Sequence, residues 1–416
     1  MKTVANRLLP SALALAVSAV AVPMSVQAAG FVEDTTANLN LRNYYFNRNF
    51  LNQTQSGQGH AEAWTQSFIL DVRSGFTEGT VGFGVDVLGL QAFKLDGGRG
   101  TGGSQLLPIQ DDSQQADDFS RLAVAAKAKI SKTELKIGEW AASNPMVRAD
   151  DGRALPQTFR GAQITSNEID GLTLDGGQFR KNSQRNDGNM EDMSFNSKFS
   201  DRFNFAGAEY RFNNNQTMVG LWRSELKDIY EQNYLQLTHS QPVGDWVLGA
   251  NLGYFEGDEN GSKKAGKIDN KVYQGMFSAK YGMHTFYVGL QQLKGDTKFL
   301  RIDGASGGSL VNDGFTNSYD NPEERSWQLR HDYNFAALGV PGLTMMNRYV
   351  NADNAKAWGL KDGKEWGRES ELAYTIQSGT FKNMSVRWRN SDVRRQGTGA
   401  DLHENRLIVN MPINLL

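Results

Sequence analysis

The chain has 416 residues, with 44 Lys and Arg against 46 Asp and Glu, 44 glycines, 9 prolines and no cysteine. The missing cysteine excludes disulfide scaffolds and thiolate metal sites, and the near-neutral charge balance argues against a basic nucleic-acid binder. Past the first 30 positions no stretch approaches the roughly 20 apolar residues that a membrane-spanning helix needs, which excludes a helical transporter.

Residues 1–28 read as a secretory signal peptide. Lys2 and Arg7 supply the positive start, 11–22 form a short apolar core ended by Pro23, and Val26-Gln27-Ala28 offers small residues at the cleavage site. Residues 29–416 then form a single exported domain. Without Lys2 and Arg7 it carries 42 basic and 46 acidic groups, a net charge of −4.

The mature chain repeats one kind of segment, with a period of two that marks a strand with unlike faces. Arg42 opens the series, and Arg48, six positions on, returns to its face. Tyr44-Tyr45-Phe46 lies between them and reads as part of an aromatic belt at the water–lipid boundary. Next, Trp64, Phe68, Leu70 and Val72 alternate with Thr65, Ser67, Asp71 and Arg73. The Gly-rich stretch 94–103 reads as an external loop rather than a phosphate cradle, since no strand-to-helix context surrounds it.

Residues 140–161 (WAASNPMVRADDGRALPQTFRG) are too interrupted by Pro and Gly for a strand. They read as a long loop folded inward, carrying Arg148, Arg153 and Arg160. Tyr281 and Phe286 flank a tight turn, whereas a long polar, Gly-rich connection fills 292–326. Alternation resumes with Trp327, Leu329 and Tyr333 against Gln328, Arg330 and Asp332. Arg348 follows next to Tyr349, then Leu372 and Tyr374 against Glu371. Met384, Val386 and Trp388 oppose Arg387 and Arg389, and Leu407, Val409, Met411 and Ile413 oppose Glu404, Arg406 and Asn410.

One face of these segments is apolar and aromatic, the other is charged, and connections alternate between short and long. That combination predicts an all-β transmembrane antiparallel barrel, because only a closed sheet leaves no unpaired backbone in lipid. Ten-residue strands with their connections divide the mature chain into about 16 to 20 strands. A barrel of that size encloses water, so an inward-folded loop is needed for it to discriminate. An arginine facing lipid costs about 2–4 kcal/mol at the midplane, so the arginines belong in the lumen. There they either pair with wall acids such as Asp71, Asp332 and Glu371 or offer a small organic anion a row of two-pronged donors.

Three stretches carry a family likeness: AAGFVEDTTANLNLRNYYFNRNF at the mature start, NPMVRADDGRALPQTFRGAQI, and ERSWQLRHDYNFAALGVPGLTMMNRYVNADN, with ENRLIVNMPINLL closing the chain. Through them the sequence resembles the OprD-type porins of pseudomonads, the outer-membrane carboxylate channels, over essentially the whole mature chain. The resemblance implies an 18-stranded barrel with inward-folded loops and a narrow eyelet, in the outer membrane of a Gram-negative bacterium. It implies passive uptake of carboxylate-bearing nutrients along a basic ladder. Arg387 and Arg389 carry that ladder, then Arg330 and Arg348, with Arg42 and Arg48 on the first strand. Arg148, Arg153 and Arg160 fall in the matched constricting loop, and Ser318, Tyr319 and Asp320 lie near the loop that opposes the ladder. The arginines of the loop resemble the aromatic-acid branch, of the benzoate or vanillate type; the branch for basic amino acids is the alternative.

Of the five histidines (60, 239, 284, 331 and 403) no two have metal-ligand spacing, and each reads as a rim or loop residue. No nucleophile elbow or Walker motif occurs, so no catalytic residue, cofactor or metal is expected. A barrel protease, a receptor and an adhesin remain as other readings. The expected partners are small organic acids, outer-membrane lipid and lipopolysaccharide, and the barrel-assembly machinery, with the protein a monomer or weak trimer and no nucleic acid involved.

Overall fold

Alternating segments build strands, and the strands close on themselves. The computed structural model describes residues 30–51, 58–357 and 359–416; the signal peptide read at 1–28 lies outside them. An 18-stranded antiparallel sheet contains the alternating segments. The first strand (Thr36–Phe50) pairs with the second (His60–Arg73) on one side and with the last (Leu402–Asn414) on the other, so the sheet has no free edge. A small separate hairpin, Met193–Phe195 with Lys198–Ser200, sits in one of the long connections. No helix among the described residues is long and apolar enough to cross a membrane; the strands make the crossing.

The two faces sort as their side chains require. Val386, Trp388, Leu407, Leu329 and Trp327 project outward and are exposed, as are Leu122, Ile137, Leu221 and Leu290 around the wall. A continuous apolar exterior of this kind needs lipid against it. The residues between them point inward: Arg387 and Arg389 flank Trp388, while Gln328 and Arg330 flank Leu329.

The two rims differ. At one, strands join by tight turns, as between Tyr281 and His284 through Gly282-Met283. Gly282 takes φ +55° there, the left-handed first position that a two-residue hairpin turn demands. At the other rim run the long connections, including 141–157 and 295–324. Both of these fold back into the barrel. The second forms a bridge across it, with Gln274 Nε2 donating to Ser309 O (2.8 Å) on one wall and Asn317 Nδ2 donating to Glu365 Oε1 (2.8 Å) on another. The two loops touch where Ser309 Oγ donates to Pro145 O (2.7 Å) and Ser306 N to Arg148 O (3.0 Å).

Two local expectations change. Tyr44 and Phe46 are not belt residues: their parity on the first strand turns them inward, where both are fully buried beneath the loops. Only Tyr45 faces out, its hydroxyl bonded to Glu62 (2.6 Å). The inward loop is also shorter than 140–161, because Thr158–Ser166 is a strand and Trp140 ends the strand Thr133–Trp140. Arg160 therefore lies in the sheet and not in the loop.

Candidate functional site

Register brings the inner-wall arginines together. Arg330 lies directly opposite Arg348, and Arg389 directly opposite Arg406. Like charges at such positions repel, and glutamates are interleaved to hold them. Arg348 pairs with Glu369 and donates to Asp313 O at 2.9 Å. Arg406 and Arg48 share Glu404, each at 2.5 Å. Arg389 and Arg387 share Glu371, at 2.5 and 3.4 Å. Arg330 is chelated by Asp332 on its own strand (2.7 and 2.8 Å) and lies 4.9 Å over the Tyr287 ring. Arg42 grips Asp151 (2.7 Å) and Arg153 O (2.8 Å) of the first inward loop.

Seven wall arginines thus meet five carboxylates, Asp151, Asp332, Glu369, Glu371 and Glu404. The band keeps a surplus of positive charge, and its members differ in freedom. Arg406 is 1% exposed and Arg348 buried; both act on the loops. Arg387 keeps 38% of its side chain open. Arg389 donates its Nε to Glu371, Arg387 holds its Nε 3.4 Å from the same carboxylate as an ion pair without a hydrogen bond, and among the described residues no hydrogen bond occupies the Nη groups of either. Two residues apart on one strand, they stand roughly 7 Å from one another.

The loops dock directly on this band. The 295–324 loop is fixed by its Phe315-Thr316 tip: both backbone N–H groups donate to Glu369 (3.3 and 3.0 Å), and Phe315 O accepts from Arg406. The Thr316 hydroxyl bonds Ser391 (2.8 Å) and Glu404 (3.3 Å). Within the loop, Arg301 pairs with Asp320 at 2.6 Å. Burial pushes the Asp313 carboxyl up to about 6, against the opposing pull of Arg301. In the 141–157 loop Arg153 is buried over the Phe46 ring (5.1 Å) and donates to Ser104 O (2.7 Å) and Gly152 O (2.9 Å). Burial, with Arg406 and Arg185 nearby, brings it down to about 9, so it stays cationic at neutral pH.

The loop residues singled out from sequence divide. Arg148 is exposed, and among the described residues its guanidinium makes only a long contact to Gly308 O (3.5 Å). It lines a cavity of about 600 Å³ with Asp71, Arg73, Lys136 and Asp151. Arg153 is a packing cation. Arg160, on its strand, is tied to Glu139 at 3.1 Å. Tyr319 is 2% exposed, packed with Val350 and Ala352, so it anchors the loop and does not face the passage. Asp320 is engaged by Arg301.

The chain matches the family described as outer membrane porin, OprD family, over residues 29–415. It belongs to the OprD family of outer-membrane porins. The porin is 56% identical to porin-like protein GalP of Pseudomonas putida, over 96% of each chain. Its structure superposes on a BenF-like porin of Pseudomonas fluorescens with a TM-score of 0.91 and 61% identity, covering 93% of this chain and all of that one. Two Pseudomonas aeruginosa structures were solved with ligands. OccK2 with glucuronate has TM-score 0.86 and 57% identity, covering 93% of this chain; OpdK with vanillate has 0.88 and 46%, covering 92%; each is covered in full. The 18-stranded closed barrel and the outer-membrane location expected from sequence are those of this family.

Sequence reasoning sets Glu404 on the polar face with Arg406 but gives it no role, and it does not single out Glu369 or Phe315. Glu369 and Glu404 share the inward parity of the arginines, which is a usable signal. Phe315 has none: it meets Arg406, 91 positions later, only because the loop crosses the barrel.

Proposed function

We propose that this porin admits small carboxylate-bearing nutrients by passive diffusion, with aromatic acids favoured, and that Arg389 and Arg387 are successive stops. The observation that carries this reading is the pair of unoccupied Nη edges beside one shared glutamate. A guanidinium edge binds a carboxylate through two parallel hydrogen bonds. Glu371 takes the Nε side of both residues and leaves that edge to a passing anion. In a water-filled lumen each stop is weak, and weak sites in series favour throughput. The surplus positive charge of the band draws anions toward it. Glucuronate and vanillate in the two ligand-bound relatives are both carboxylates, which supports the class; the vanillate-bound relative supports the aromatic preference. Arg42, Arg48, Arg330 and Arg348 shape the field, Arg42 and Arg348 also hold the loops, and Arg148 receives the anion on the short-turn side.

The test is uptake into liposomes of benzoate, vanillate, glucuronate, citrate and arginine. Wild type is expected to pass the monoanions benzoate, vanillate and glucuronate faster than citrate or cationic arginine. Arg387→Ala combined with Arg389→Ala should slow them several-fold while heat-modifiable mobility on gels shows an intact barrel. Benzoate uptake equal to wild type in that variant removes the two arginines from the mechanism.

A further inference from the structure

We infer that Phe315 is a specificity-determining residue of the constriction, offering an aromatic face that favours planar aromatic acids over saturated acids of equal size and charge. The inference rests on the carboxylate reading above and deepens it. Phe315 is the only ring that the 295–324 loop brings to the arginine band among the described contacts: Arg389 lies 4.8 Å and Arg406 5.1 Å from its centroid. Its backbone is pinned at both ends, N–H to Glu369 and C=O to Arg406, so the ring is held in place while the rest of the loop tip is polar. Arg389 consequently has its Cζ over the ring, its Nε on Glu371 and its Nη edge open.

A carboxylate gripped by that edge lies in the guanidinium plane. In an aromatic acid the ring is conjugated with the carboxylate and extends in the same plane. With the guanidinium stacked flat on Phe315, the ring would cover one side of that plane and meet an aromatic acid as an offset parallel ring. A saturated acid has a puckered ring and no π face, and it gains less. Offset aromatic pairs contribute about 0.5–1.5 kcal/mol beyond burial, equal to about 2- to 12-fold in binding. Removing the ring also frees the faces of Arg389 and Arg406, which alone would alter all anions alike; only the ratio between acids separates the two effects.

The experiment measures liposome uptake of benzoate and of cyclohexanecarboxylate through wild type, Phe315→Leu and Phe315→Tyr, with single-channel conductance in KCl as the structural control. The benzoate-to-cyclohexanecarboxylate ratio is expected to fall about 2- to 12-fold in Phe315→Leu and to return in Phe315→Tyr. An unchanged ratio in Phe315→Leu overturns the assignment, whatever happens to absolute rates, and leaves the ring a packing element. A ratio lost equally in Phe315→Tyr overturns it as well, since that variant keeps the face. If wild type passes neutral sugars as readily as either acid, the carboxylate reading itself fails; a failure of the ratio alone leaves that reading standing.

Discussion

Glu371 occupies the Nε side of both Arg387 and Arg389, and neutralising it should strengthen anion binding. Glu371→Gln keeps the shape and one acceptor but removes a negative charge held across each guanidinium from the docking edge. At a separation on the order of 7 Å, repulsion between Glu371 and a bound carboxylate is about 0.6 kcal/mol in water and about 2.4 kcal/mol at an effective dielectric of 20. The expected tightening is therefore about 3- to 50-fold, toward the lower end in a hydrated lumen. The assay is inhibition of single-channel current by benzoate in planar bilayers at 0.1 M KCl, where the screening length is about 10 Å. Glu371→Gln should lower the inhibition constant, lengthen the blocked intervals and shift the reversal potential toward chloride. The gain should shrink at 1 M salt, where screening acts within about 3 Å. An inhibition constant that is unchanged or raised would refute the idea that Glu371 tunes these two arginines, and would mean that it matters only for holding them in place.

Two further outcomes are expected. Because burial raises the Asp313 carboxyl to about 6, its neutral form favours the docked loop; that contribution is full below about pH 4 and is lost as pH rises through 6. Protease protection of the 295–324 loop should accordingly be stronger at pH 5 than at pH 7.5, and Asp313→Asn should remove the difference. Export should release residues 1–28, so the intact mass of protein from outer membranes should correspond to a chain beginning at Ala29; a mass that includes Met1 would count against the signal-peptide reading.

The barrel is legible in the sequence because its solvent changes across the wall. Lipid outside and water inside enforce opposite residue types at successive positions, so parity alone places Arg330, Arg387, Arg389 and Arg406 inward. A two-residue spacing cannot be mistaken on a strand, whereas the partners of each arginine depend on register, which the pattern leaves free. Arg160 is misassigned for a related reason. Gly161 reads as a breaker, yet in the sheet it marks an irregularity where a Cβ would lie 2.0 Å from Gln178 O, a close backbone approach inside a strand. Tyr319 is polar by composition and stands in a polar loop, so nothing local announces that it is buried against Val350 and Ala352. The docking of Phe315 and Thr316 on Glu369 is fixed by groups more than 50 positions away and has no local signature.

Arg348, Arg406, Glu369 and Glu404 have a double duty: the charges that set the field of the passage also fasten the loop that narrows it. A lineage that altered these wall charges to suit a new nutrient would unfasten its own filter at the same stroke. Diversification is cheapest where no such fastening exists, at the exposed Arg387 and Arg148 and in the ring carried at the loop tip. Relatives with divergent diets are expected to share the wall and to vary at those few positions.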